Sequence, residues 1–248
     1  MSNHILFVFE GIKTEQNITD SLSKYFIQDA DKTLIRASYG FNIYRLYEKL
    51  YLDSDQDLLE LLKIEISKKT KISVHDQALL DLEGSESISD IYLFFDYDCH
   101  CTNANDEKLS KMLALFNDSM AHGLLCISYP MVESIKHQTD NNPIQKLHSI
   151  SELTNYKSYV NQSGNANVRY QNWALYDLNI WSEIINVNLH RANLLVEERL
   201  RLPSRPLEQE AIFNAQLAQH IPSEQIAIIS SFPLMLHQYY GKKLFERI

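Results

Sequence analysis

Asp96 and Asp98 stand two residues apart, and the five residues before them (Ile91, Tyr92, Leu93, Phe94 and Phe95) carry no charge and are apolar or aromatic. A short continuous run of this kind suits a strand buried on both faces of a parallel sheet. The two acids then fall where the strand ends, and the carboxyl edge of an open α/β sheet is where such proteins bind ligands. Alternation along an extended chain sends Asp96 and Asp98 to the same side. Two carboxylates that close repel each other and resist desolvation unless a cation joins them. Mg2+ or Mn2+ matches this chemistry, because hard ions take carboxylate oxygens.

Two further acids occupy the same kind of place. Residues 4–9 (HILFVF) read as a second buried strand ending in Glu10, and residues 123–128 (GLLCIS) as another, broken by Tyr129-Pro130. A helix expected over 131–137 then carries Glu133. If these strands are neighbours, Glu10, Asp96, Asp98 and Glu133 converge at one sheet edge, where a divalent ion orients water and stabilises charge on a phosphoryl group. Each acid also has a plainer reading. Glu10 and Glu133 sit where a helix dipole favours a carboxylate anyway, and Asp96 and Asp98 suit the cap of a following segment.

The elements that must position these acids are legible from pattern. A helix is expected over 14–26, with Ile18, Leu22 and Phe26 at spacings of four and Thr14 as its N-cap. A weaker strand over 34–38 follows, then helices over 43–51 and 57–69. Residues 71–90 are ambiguous, with the acidic stretch 81–90 read as a solvated loop. A helix over 106–120 precedes the strand at 123–128. This alternation implies an α/β fold with a parallel four-stranded sheet flanked by helices. From residue 141 the pattern turns mostly helical, over 143–160, 172–199, 207–220 and 233–248, with one more strand at 225–230. The domains read as 1–140, with a helical insertion at about 43–85, and 141–248.

The 248 residues suffice for a large core, and the net charge of −9 excludes a global basic footprint for nucleic acid. A nucleic acid substrate would need local basic patches, a metal or a partner. Three cysteines, Cys99, Cys101 and Cys126, suit a reducing compartment. The N-terminus shows no signal-peptide pattern and no apolar run is as long as a membrane span, so the expectation is a cytoplasmic protein.

The string Phe7-Val8-Phe9-Glu10-Gly11-Ile12-Lys13-Thr14-Glu15 resembles the first motif of a TOPRIM domain in its RloB-like form. Phe95-Asp96-Tyr97-Asp98 is similar to the TOPRIM Asp-x-Asp motif, and Pro130-Met131-Val132-Glu133 to a segment after the fourth strand of RloB-like and OLD-type proteins. The resemblance covers residues 4–137 and implies a TOPRIM-like, Rossmann-like fold and Mg2+-dependent (or Mn2+-dependent) cleavage of RNA or DNA. It implies Glu10 as metal ligand and general acid/base, Asp96 and Asp98 as metal ligands, and Glu15 and Glu133 as ligands of a second metal. Small stand-alone proteins of this kind serve in bacterial anti-phage defence, where an ABC-type ATPase partner holds the effector until infection. The chain has no phosphate-loop motif, so such an ATPase would be a separate chain. A homodimer is a further expectation from the resemblance. The stretch between Glu10 and Asp96 is longer than a minimal TOPRIM domain needs.

Lys136 and His137 follow Glu133 on the same helical face and are candidates to contact phosphate, although a surface ion pair is the plainer reading. His100 is a candidate at the site rim. Cys99-His100-Cys101 is a poor zinc motif, because adjacent ligands do not close easily on one tetrahedral ion. Lys242, with Lys243, Arg247, Tyr239 and Tyr240, forms a basic-aromatic patch suited to a nucleic-acid backbone or to a solvated helix end. The rival functional reading is a catalytically silent subunit whose TOPRIM fold docks on an ATPase. A primase or topoisomerase fragment fits less well.

Overall fold

A computed structural model describes residues 3–11, 13–28, 31–52, 57–140, 142 and 145–248. Ile12, inside the first motif, and Pro143, the expected start of a helix, lie outside them. The chain runs β1 (His4–Phe9), α1 (Thr14–Ser23), β2 (Thr33–Ser38), α2 (Ile43–Leu52), α3 (Leu58–Ser67), α4 (Val74–Leu80), β3 (Ile88–Asp96), α5 (Asp106–Leu115), β4 (Asn117–Asp118) and β5 (Gly123–Ser128). It continues through β6 (Leu147–Ser149), α6 (Tyr156–Asn161), α7 (Leu178–Glu197), α8 (Gln209–Gln219), β7 (Gln225–Ala227) and α9 (Ser231–Tyr240), with 3-10 turns between.

The fold is α/β, with one mostly parallel sheet flanked by helices. Its strand order is β2-β1-β3-β5-β4, the first four strands parallel. The apolar runs explain the two central strands: Ile5 to Phe9 and Tyr92 to Phe95 are all buried, which only a sheet covered on both faces allows. β5 is buried along its whole length. It begins at Gly123, whose φ of +115° suits glycine, and a Cβ there would lie 2.8 Å from Leu93 Cδ1.

The expected four-stranded sheet is thus five-stranded. The helix expected to reach residue 120 stops at Leu115, because Phe116 turns into the core and its carbonyl accepts the Leu125 N–H at 2.9 Å. Asn117 and Asp118 then pair antiparallel with Leu124 and Gly123. Residues 81–90 are not simply a solvated loop. A 3-10 turn at Ser85–Ser87 leads into β3, and Asp90 is buried against Lys32 at 3.0 Å and the Ser119 hydroxyl at 3.1 Å. Thr14 does not cap α1. It is the first helical residue, and Lys13 in the cap position makes no side-chain cap bond.

The C-terminal region holds the expected strand as Gln225–Ala227 but also departs in part from the mostly helical expectation. Residues 147–149 form β6, which pairs antiparallel with β7 in a separate two-stranded sheet. Within 143–160, the α-helix is confined to Tyr156–Asn161. The final helix begins earlier than expected and ends at Tyr240, before a 3-10 turn over Gly241–Glu246. Helix α9 packs across β5 and β3 of the main sheet. The Ser231 N–H donates to Ser128 Oγ at 3.3 Å, Phe232 stacks on Phe94 at 4.8 Å, and Tyr239 meets Tyr92 edge-on at 6.5 Å. The Phe94–Phe232 stack contributes about 1 kcal/mol beyond its buried area. Buried residues before and after position 140 therefore share one apolar core. Among the described residues no helix is long and apolar enough to cross a membrane.

Candidate functional site

Parallel register decides which acids meet. Phe9 pairs with Phe94 and Asp96 with Ser128, so the chain leaves β1, β3 and β5 at one edge of the sheet. Glu10 extends the ladder by one bond, its N–H donating to the Phe94 carbonyl at 3.1 Å. Its side chain then reaches over the end of β3, and Glu10 Oε2 accepts the Asp96 N–H at 3.2 Å. The backbone of Val132, in the 3-10 turn Val132–Lys136 that follows β5, lies near enough to Asp96 to favour its charged form. Glu133 therefore sits on a 3-10 turn and not on the expected α-helix.

Glu15 completes the group from the first turn of α1. Only 5% of it is exposed, and Glu15 Oε1 accepts the Gly11 N–H at 3.3 Å. Gly11 leaves room for this approach: a Cβ on it would lie 2.9 Å from Glu15 Oε2 and the Glu15 carboxylate would have to shift. Glu133 is 3% exposed and ion-paired at 2.9 Å with Lys157 of α6.

The proton affinities record the crowding. Burial pushes the Glu10 carboxyl up to about 7, against the Asp96 N–H bond, and the charges of Asp98 and Glu15 add to the rise. Burial, followed by Glu10, Glu15 and Glu133, holds Asp96 well above the usual carboxylate range. Glu15 is raised by burial, with Glu133 adding and the Gly11 N–H and Lys157 opposing. Asp98 stands outside β3, where strand alternation no longer governs its direction. It faces Glu10 on one side and accepts the Cys101 thiol at 2.5 Å on the other. Burial and that hydrogen bond push the Cys101 thiol up to about 12, and Asn42 Nδ2 donates to its sulfur at 3.0 Å. Burial, with Asp98, likewise pushes Cys99 up to about 11.

These are hard oxygen donors with too few cations among them, which is the donor chemistry of a Mg2+ or Mn2+ site. Their positions are not those of a closed cage: among the described residues no three His, Cys, Asp or Glu side chains stand close enough together to hold an ion.

No family model matches the chain. No solved structure matches it either. A curated Staphylococcus aureus (strain NCTC 8325 / PS 47) protein, teichoic acid glycerol-phosphate transferase, is 36% identical over 91 residues, which is 35% of this chain and 23% of that protein. The chain thus spans under a quarter of the length of that relative.

The remaining sequence candidates lie elsewhere or are engaged. Lys136 is buried, its Nζ 3.8 Å from the centre of the Trp173 ring; burial lowers its pKa, with Glu133 opposing. His137 points into an aromatic pocket, with Nδ1 2.9 Å from the Tyr156 hydroxyl and its ring against His148 and Tyr159. Burial, with Lys146 and Arg191, drives its pKa down to about 3. The 3-10 turn keeps Glu133 and Lys136, three positions apart, on one side, but His137 lies past its end and leaves the face expected for all three. His100 is exposed and bonds the Ile150 carbonyl at 2.7 Å. Lys242 follows the end of α9 that rests on Tyr92, so it lies toward the sheet edge opposite the carboxylates.

Sequence reasoning missed Lys157. Its partner is 24 positions away, and a lysine on a short helix carries no motif. It also missed Gly11 as the residue that makes room for Glu15, although a glycine directly after a strand-end acid is a usable signal.

Proposed function

We propose that this chain is a TOPRIM-type nuclease, a Mg2+-dependent (or Mn2+-dependent) phosphodiesterase acting on RNA or DNA. In this reading residues 1–140 are the TOPRIM unit, 141–248 its mostly helical companion, and the whole is a defence effector held by a separate ABC-type ATPase. The observation that carries it is the meeting of Glu10 with Asp96, Glu15 and Glu133 at the carboxyl edge of the sheet. A bound divalent ion would supply charge neutralisation on the phosphodiester and an acidified water. Asp96, Asp98 and Glu10 would hold one ion, with Glu15 and Glu133 toward a second. Glu10, with a proton affinity near neutrality, suits proton transfer to or from a water at Oε1 or Oε2.

The test is purified wild type against Glu10→Ala on RNA and DNA with Mg2+ present, with sequencing of the cleaved ends from cells expressing each. Loss of cleavage and of toxicity in Glu10→Ala is expected. Equal cleavage by both proteins rejects the reading.

The open arrangement of the carboxylates favours a second reading, a silent subunit that docks on an ATPase. In that case neither protein cleaves, and pull-down of the ATPase survives the Glu10 change. The similarity to part of a glycerol-phosphate transferase covers too little of that protein to favour a third.

A further inference from the structure

A cleft of about 430 Å3 lies against α6, lined by His148, Glu152, Asn155, Ser158, Tyr159 and Gln162. That volume falls in the range of small-molecule sites. Two elements build it. Strand β6 holds His148 opposite Ile226 in the two-stranded sheet. Asn155, Ser158, Tyr159 and Gln162 recur at intervals of three and four along α6 and its two ends, which puts them on one face. None of the six lining residues is a lysine or arginine, and one is an acid. Burial lowers the pKa of His148, with Glu152 opposing, so its imidazole is neutral at pH 7. An anion such as phosphate therefore finds no cation here. Two carboxamides, a hydroxyl, a carboxylate and a neutral imidazole instead offer donors and acceptors to an uncharged ligand. His148 is 6% exposed, and its Nε2 makes no hydrogen bond in the protein, which is unusual for a buried ring nitrogen. Half-buried Tyr159 lies against the His148 ring at 4.7 Å and adds aromatic surface.

We propose that this cleft binds one unpaired nucleobase. Single strands are held by stacking bases on aromatic rings, tyrosine and histidine among them, and by hydrogen bonds to the base edge. Tyr159 supplies the ring. Asn155 and Gln162 are carboxamides, whose paired donor and acceptor match those of a base, and the Glu152 carboxylate suits an exocyclic amino group. The same helix carries Lys157, 2.9 Å from Glu133, so α6 joins the cleft to the strand-end acids. The inference deepens the nuclease reading and rests on it for the strand that carries the base, but it requires no ion at the acids.

The test is saturation-transfer NMR titration of the full chain with each of the four ribonucleosides and with ribose alone. Wild type, Tyr159→Leu and Gln162→Ala are compared, with circular dichroism to verify folding. Transfer to the base protons of at least one nucleoside is expected, and none to ribose alone. Tyr159→Leu should weaken binding about tenfold through the lost stacking ring, and Gln162→Ala about fivefold through a lost hydrogen bond. Gln162 is exposed, so its variant decides the matter if Tyr159→Leu does not fold. Ribose bound as well as the nucleosides makes the cleft a sugar site and overturns the inference. Absence of nucleoside binding overturns it too, as does binding that Gln162→Ala leaves unchanged. Nucleoside binding without cleavage of any nucleic acid by wild type would sink the nuclease reading and leave the cleft standing. Cleavage without nucleoside binding would sink the cleft alone.

Discussion

The carboxylate of Glu10 accepts the backbone N–H of Asp96 at 3.2 Å, joining the ends of two adjacent parallel strands through one side chain. The bond fixes where Glu10 points, and it brings that carboxylate into a region where Asp98, Glu15 and burial all disfavour its charge. A carboxyl held near neutrality at a strand end is a poor structural element and a good proton carrier.

Stability of the metal-free protein carries the signature of this group. The folded-state pKa of Glu10, about 7, lies above its ordinary 4.5, so the folded state binds more protons between the two values. The contribution of Glu10 is therefore fully present below about 4.5 and is lost as pH rises through about 7. Glu10→Gln removes this dependence. Chelated wild type should lose on the order of 2 kcal/mol more than Glu10→Gln between pH 5 and 8. Thermal unfolding of both proteins across that range measures it, and parallel curves would contradict the assignment.

His137 predicts the opposite slope. Its folded-state pKa is depressed to about 3 by burial, so the unfolded chain takes up its proton first as pH falls below 6.5. Stability is lost progressively from there toward about 3. His137→Phe should flatten acid denaturation in this window and, under the nuclease function proposed above, leave cleavage at pH 7.5 within about twofold, since the ring packs against Tyr156 and Tyr159. A rate loss comparable to that of Glu10→Ala would return His137 to the chemistry.

Gly11→Ala tests the placement of Glu15. The new Cβ would meet Glu15 Oε2 at 2.9 Å, and the end of the Glu15 side chain must move to clear it. Under the proposed nuclease function, cleavage should fall by up to about 100-fold, as expected for a misplaced group of this kind. The melting temperature should change little. Full activity in Gly11→Ala would mean that Glu15 is not used.

Under the proposed metal site, Asp98 and Cys101 separate a ligand from its support. Asp98→Asn should weaken Mn2+ binding about 10- to 100-fold, whereas Cys101→Ser keeps a donor toward the carboxylate and should stay close to wild type. Calorimetry on both variants measures this, and unchanged affinity in Asp98→Asn would remove Asp98 from the ligand set.

The amino-acid sequence alone determined the elements with local signals. Contiguous apolar runs at residues 5–9, 91–95 and 124–127 suit strands covered on both faces, and the acids that follow the first two then lie at strand ends. Tertiary structure decided everything that depends on contacts distant along the chain. Strand β4 exists because the core takes in Phe116 and ends α5, a preference no local pattern records. Lys136 and His137 read as surface residues on a helix, yet Trp173 and Tyr156 from the C-terminal half cover them. Lys157 bears on the site only because α6 folds back to Glu133. Periodicity reports which face of an element is apolar; it does not report which charged group from elsewhere in the chain will be folded against it.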